Sequence, residues 1–210
     1  RCFKTRREIM EDIARAPHEV GEVYRGPLEP MSVDEEASRM AAGEAFAWRL
    51  SLARCRDLLG PRFSAMRYIE DGAGDQTANP DPLGDVILAR KDVGTSYHIA
   101  VVHDDALQGI SHVIRGEDHL SNTPKHILLY QAMGFEPPEF GHLSLVHGPG
   151  GEPLSKRLTS VSVREFRKRG YLAHALANYI ALLGWSPGDD REILKWDALQ
   201  DLFDLKRVSR

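Results

Sequence analysis

A chain of 210 residues, 42% hydrophobic and 28% charged, has room for one large domain or two small ones and can bury a core without disulfide staples. Its two cysteines, Cys2 and Cys55, exclude a disulfide framework and cannot by themselves complete a four-thiolate zinc site, and a reducing cytoplasm is the expected compartment. The formal net charge of −4 excludes a globally basic nucleic-acid-binding surface and leaves only a local patch.

The chain opens on Arg1-Cys2-Phe3-Lys4-Thr5-Arg6, without the apolar stretch of a signal peptide. It does not begin with Met, as expected of a processed product or an excised piece. No apolar run reaches the roughly 18 residues of a membrane span, so no membrane association is expected. Thr5 and Glu8 have capping-box spacing ahead of Ile9, Met10 and Ile13, and Ser32 and Glu35 repeat it before a second short helix. Gly43 to Leu50 fits an edge strand or a helix. Gly72 to Pro82 is turn-rich and reads as a boundary. Beyond it the pattern becomes α/β, with strand candidates at Asp85–Ala89, Tyr97–Val102, Ser111–Ile114 and His142–Val146. Between the last two, Pro124 stands where a first helical residue would, and Gly134 stops that helix. Gly148 to Gly151 reads as a tight loop. The remainder is helical: one helix capped by Ser162 and Glu165 and ended by Gly170, a second over Leu172–Leu183 ended by Gly184, and a third over Glu192–Phe203.

The segment with most chemistry is Gly148-Pro-Gly-Gly-Glu-Pro-Leu-Ser-Lys-Arg157. A mobile glycine loop ending in cations suits a group that clamps phosphate charge only during reaction, although a short Ser-Lys-Arg string is by itself more often a solvated surface loop. Its surroundings are more specific. The stretch from Asp104 to Pro124, with Ser111-His-Val-Ile-Arg-Gly-Glu-Asp-His-Leu120 inside it, closely resembles class I glutamyl-tRNA synthetases, and so does Ser162 to Glu192. The resemblance covers nearly all of residues 85–210. Ala89 to Val102 is more similar to the glutamyl-queuosine tRNA(Asp) synthetase branch, and residues 5–50 lean the same way more loosely.

The resemblance implies an α/β fold: a partial Rossmann-like catalytic domain at 85–157, an N-terminal insertion (acceptor-binding-like) module at 1–84 and a helical stem-contact-like module at 158–210. It implies ATP, with Mg2+, and L-glutamate as substrates, and tRNA(Glu) as acceptor, or tRNA(Asp) in the queuosine branch. Tyr97 and Arg115 match residues that hold the amino acid; an arginine fork suits a carboxylate and a phenol adds a directed hydrogen bond. Taken without the resemblance, Tyr97 reads as a half-buried strand residue and Arg115 as a surface ion-pair partner. Leu145 and Val146 match backbone contacts to adenine. Lys156 matches the second lysine of the KMSKS-type loop, and Ser155 would support that loop. The cations Arg157, Arg164, Arg167 and Lys168 are candidates for tRNA phosphates; their alternative is a solvated helix face.

Three departures qualify the activity. No His-x-Gly-His/Asn-type motif stands in the expected place, so the first half of the nucleotide fold is expected to be missing. The half-sheet left behind would then have an edge needing further chain or self-association. Pro153 replaces the first lysine of the loop and supplies no charge. The resemblance implies zinc in many relatives, held by a Cys-x-Cys pair and a later cysteine pair or Tyr-x-x-x-Cys; here Cys2 is followed by Lys4, and Tyr24 by Leu28, with His18 the nearest lone imidazole, so no zinc is expected. Phe203 to Arg210 resembles the start of the family's stem-contact region, so both ends read as cut. Three functions stay open: a glutamate–tRNA ligase region, incomplete in this chain; the queuosine branch, separable by its independence of tRNA in activation; and a catalytically inactive paralogue or fragment that binds RNA or a partner.

Overall fold

In the computed structural model, which describes all residues except 16–22, 28–30, 93, 149, 153, 155–161 and 209–210, the first helices start where their capping residues predict. Ahead of α1 (Arg6–Arg15), the Thr5 hydroxyl accepts the Glu8 amide at 3.3 Å and the Glu8 carboxylate accepts the Thr5 amide at 2.7 Å. Two otherwise orphaned helix donors are thereby satisfied reciprocally. α2 (Val33–Ala41) follows Ser32, whose hydroxyl accepts the Glu35 amide at 3.1 Å. The segment left open between strand and helix forms the short strand β1 (Trp48–Arg49). α3 (Leu52–Leu59) buries Leu52, Cys55 and Leu59, one face at helical spacing, and runs into a 3-10 turn that buries Phe63.

Next come β2 (Arg67–Glu70), β3 (Gly74–Thr77), β4 (Ile87–Arg90), β5 (Gly94–Thr95), α4 (Tyr97–Gln108), β6 (His112–Gly116), α5 (Thr123–Ala132) and β7 (Glu139–Leu143). The expectation of a strand over Tyr97–Val102 is corrected: these residues open α4. The apolar run carries Ile99, Val102 and Ala106 at helical spacing, Val102 is fully buried, and Gly109 ends the helix in the left-handed conformation. The fourth strand lies three residues earlier than expected. β7 pairs with β6 only as far as Leu143 opposite Gly116, because β6 gives way there to a 3-10 turn (Glu117–Asn122) and offers no further partner.

The chain divides into two compact units. The first comprises Arg1–Tyr68, Gln76–Ser111 and Ser121–Pro138. In it β1, β4 and β5 form an antiparallel sheet, and α5 packs against α3 and α4. Ile127, Leu128, Leu129 and Tyr130 are at most 1% exposed and form its centre with Val102, Phe63 and Met66. The second comprises Ile69–Asp75, His112–Leu120 and Glu139–Arg210. Its sheet has the order β3-β2-β7-β6, with β2–β7 and β6–β7 parallel; the link from β6 to β7 contains α5, the kind of crossover parallel neighbours require. The expected α/β, partly Rossmann-like parallel architecture is thus present.

The second unit continues through α6 (Val163–Lys168), α7 (Ala173–Leu182) and α8 (Trp196–Leu202). α8 starts four residues later than expected. The Asn178 side chain accepts the Leu194 amide at 2.9 Å and donates to the Glu192 carbonyl at 2.7 Å, pinning that segment outside the helix. Among the described residues no helix is long and apolar enough to cross a membrane.

Candidate functional site

Within the second unit, three adjacent strands bring Glu70, His142 and Arg115 together. In the parallel register Glu70 on β2 stands opposite Phe140 on β7, and His142, two residues along β7, stands opposite Arg115 on β6. Residues two apart share a sheet face, so these side chains lie in one row across it. The Glu70 carboxylate accepts the His142 amide at 3.0 Å and approaches His142 Nδ1 at 2.8 Å. Arg115 Nε donates to His142 Nε2 at 3.1 Å. The Arg115 guanidinium carbon lies 5.2 Å from the Phe140 ring centroid, and the Phe140 and His142 rings are within 7° of parallel. Phe140, His142 and Glu70 are buried, and Arg115 is half-buried.

At the exit from β6 the Glu117 carboxylate accepts the Leu145 amide at 3.2 Å, and the Val146 carbonyl accepts the Leu154 amide at 2.8 Å. Leu145 and Val146 therefore follow the strand rather than ending it, with one backbone group of each already engaged. The Gly148 amide donates to the Glu152 carbonyl at 2.7 Å, so the glycine segment folds back on itself before Leu154. Ser155, Lys156 and Arg157, with Pro153, lie outside the described residues. Arg164, Arg167 and Lys168 are exposed on α6, whose N-terminus is capped by Ser162 accepting the Glu165 amide at 3.3 Å.

Tyr97 belongs to the first unit, at the first position of α4, and is about half exposed. Its ring packs against His98 and His126 at centroid distances of 5.6 and 5.8 Å. His98 Nδ1 lies 3.1 Å from His126 Nε2, and Lys125 Nζ lies 3.3 Å from His98 Nε2 and 3.2 Å from Asn122 Oδ1. A Lys125 ammonium donating to His98 Nε2 leaves the His98 proton on Nδ1, where it can donate to His126. Burial holds the Lys125 amine below the ordinary lysine range.

Near Cys2 and Tyr24, Lys4 pairs with Asp12 at 2.5 Å. Burial, followed by the neighbouring Cys2 thiol, pushes the Tyr24 phenol well above its usual value. Leu28 and His18 lie outside the described residues, and among the described residues no three His, Cys, Asp or Glu side chains gather as a metal-binding group.

Glu70 and His142 were not singled out by sequence, although His142 accepts from Arg115 and Glu70 holds His142. Glu70 reads as an ordinary charge before a turn, and its partner lies 72 residues away. The one available signal was the Phe140, His142 alternation on a short strand. His98, Lys125 and His126 were likewise hidden, because the link between Tyr97 and α5 is tertiary.

Residues 62–210 match the family model described as "tRNA synthetases class I (E and Q), catalytic domain". The whole chain is 41% identical to a glutamate–tRNA ligase of Natranaerobius thermophilus, of which it covers 41%. It is 40% identical over 99% of its length to the glutamate–tRNA ligase of Aquifex aeolicus, of which it covers 43%. A crystal structure of a glutamate tRNA ligase from Elizabethkingia meningosepticum in complex with its amino acid superposes with a TM-score of 0.76 at 29% identity, over 99% of this chain and 45% of that one. The chain thus spans about two fifths of the length of the curated relatives it matches.

Proposed function

The chain belongs to the catalytic-domain family of class I tRNA synthetases (E and Q), and on that premise we propose that it is part of a glutamate–tRNA ligase. The glutamate α-carboxylate attacks the α-phosphate of ATP, with Mg2+, giving glutamyl-adenylate and releasing pyrophosphate; a hydroxyl of tRNA(Glu) then takes the glutamyl group and AMP leaves. The observation that carries this reading is Arg115, a half-buried arginine on a parallel strand with its Nε held by His142. An arginine so held suits two-pronged recognition of a carboxylate. Tyr97 is the second contact to the amino acid. Adenine is bound at the Leu145 and Val146 backbone, which requires Glu117 to yield the Leu145 amide or the Val146 carbonyl to share its second lone pair. Lys156, assisted by Ser155, neutralises charge on the phosphates, and Arg157, Arg164, Arg167 and Lys168 contact tRNA phosphates. The division into an insertion module at 1–84, a catalytic half at 85–157 and a stem-contact-like module at 158–210 goes with this reading.

The relatives named above are glutamate–tRNA ligases, which favours this branch over the queuosine branch and its tRNA(Asp). One observation favours a second, inactive reading: Pro153 supplies no charge where the family's loop has its first lysine. Glutamate-dependent ATP–pyrophosphate exchange, with and without tRNA(Glu), separates the alternatives. Exchange only with tRNA supports the ligase. Exchange without it supports the queuosine branch. No exchange in either case by folded chain leaves the inactive reading. Unchanged glutamate affinity in Arg115→Ala overturns the assignment of Arg115.

A further inference from the structure

We propose that Glu70 and His142 form a positioning relay that fixes the direction in which Arg115 presents its guanidinium to the substrate carboxylate. The inference rests on the proposed role of Arg115 and adds two residues to it. A carboxylate only accepts hydrogen bonds, so the 2.8 Å contact from Glu70 Oε2 to His142 Nδ1 assigns the imidazole proton to Nδ1. Nε2 then carries the lone pair, which is what the Arg115 Nε–H requires at 3.1 Å. The opposite tautomer would set two N–H groups against each other.

The grip is two-pointed. The other Glu70 oxygen accepts the His142 backbone amide at 3.0 Å, so carboxylate, strand and ring are fixed together. The Glu70 and His142 side chains are only 5% and 4% exposed, so water does not compete freely for these bonds. With Nε tethered to His142 and the guanidinium carbon over Phe140, both the axis and the plane of the Arg115 fork are set. A fork oriented before the ligand arrives avoids the ordering cost that a flexible arginine incurs on binding. A buried, hydrogen-bonded pair of this kind is in itself weak evidence for stability, and the positioning role accounts for its alignment across three strands.

The test uses this chain with ¹⁵N-labelled histidine and arginine, together with Glu70→Gln, His142→Leu, His142→Gln and Arg115→Lys, each titrated with L-glutamate. Two-bond ¹H–¹⁵N spectra of the unliganded wild type are expected to show His142 protonated at Nδ1 and bare at Nε2. His142→Leu and Glu70→Gln are expected to weaken glutamate binding by about ten-fold, the scale set by one hydrogen bond to a charged group. His142→Gln offers Arg115 an acceptor and Glu70 a donor at nearly the imidazole spacing, and is expected to restore most of that loss. An Nε2-protonated tautomer overturns the relay. So does wild-type affinity in His142→Leu, or a His142→Gln protein as weak as His142→Leu, which would mark a purely structural histidine. If His142→Leu does not fold, the wild-type tautomer and the Glu70→Gln affinity decide. Wild-type affinity in Arg115→Lys, or no glutamate binding by a wild type that shows the expected tautomer, overturns the parent reading of Arg115 instead.

Discussion

Gly84 holds φ at +64°, and a Cβ built on it would lie 2.6 Å from the Tyr24 carbonyl oxygen and 3.0 Å from the Val23 side chain. The same carbonyl accepts the Asp85 amide at 2.5 Å, so the backbone cannot back away without losing that bond. Gly84→Ala is therefore expected to destabilise the chain by about 2 kcal/mol or more, combining left-handed strain with overpacking. A urea midpoint within error of wild type would refute the close approach. The neighbouring Asp85 is buried, accepts the Leu52 amide at 2.9 Å, and has its carboxyl raised above the usual range by burial, a shift that the Leu52 amide and Arg49 only partly oppose. Because the folded chain holds this proton more tightly than the unfolded one, its contribution is complete below the unfolded value of about 3.9 and is lost as pH rises through the raised folded value. Stability measured by urea at stepped pH is expected to fall across that window in wild type relative to Asp85→Asn; superimposable pH profiles would rule it out.

At the scale of elements, the capping pairs were legible because each needs only residues three apart, and the hydroxyls of Thr5, Ser32 and Ser162 all accept the expected amides. α4 was misread because Tyr97 to Val102 taken alone is an apolar, β-branched run that suits a strand. The helical period emerges only when Ala106 and the stop at Gly109 are included. Val102 shows which period prevailed. As a fully buried residue on a helix packed against α5, it should cost about 2 kcal/mol on truncation to Ala through lost burial and the cavity left behind. An exposed position on a strand would cost a few tenths, so thermal or urea unfolding of Val102→Ala discriminates the two. The delayed start of α8 had no local signal, since the residue that prevents it, Asn178, lies 14 and 16 positions upstream of its two partners.

Over the whole chain, what sequence could not convey is that both compact units are discontinuous: Ile69–Asp75 and His112–Leu120 are assigned to the second unit, although the segments around them belong to the first. The resemblance pointed to Arg115 as a candidate, but the row that joins it to His142 and Glu70 depends on a strand pairing between Glu70 and Phe140 that no local pattern encodes. Charge distribution is a property of the same scale and yields a separable expectation. A net charge of −4 opposes indiscriminate association with polyanions, so the proposed tRNA contact requires a local group of cations. Arg164, Arg167 and Lys168 are exposed on the short α6, and Arg164 is spaced three and four residues from the other two, which puts the three near one side of the helix. If that side meets an acceptor stem, each contacted phosphate releases counterions, and log K falls against log salt with a slope of about 0.9 per contact. Arg164→Ala combined with Lys168→Ala should then weaken tRNA binding and flatten that slope by about 2, while leaving glutamate binding unchanged. A weaker affinity with an unchanged slope would mean that the substitutions disturb the fold of α6 rather than remove phosphate contacts. An unchanged affinity would make the cluster a solvated face and remove α6 from the proposed tRNA interface.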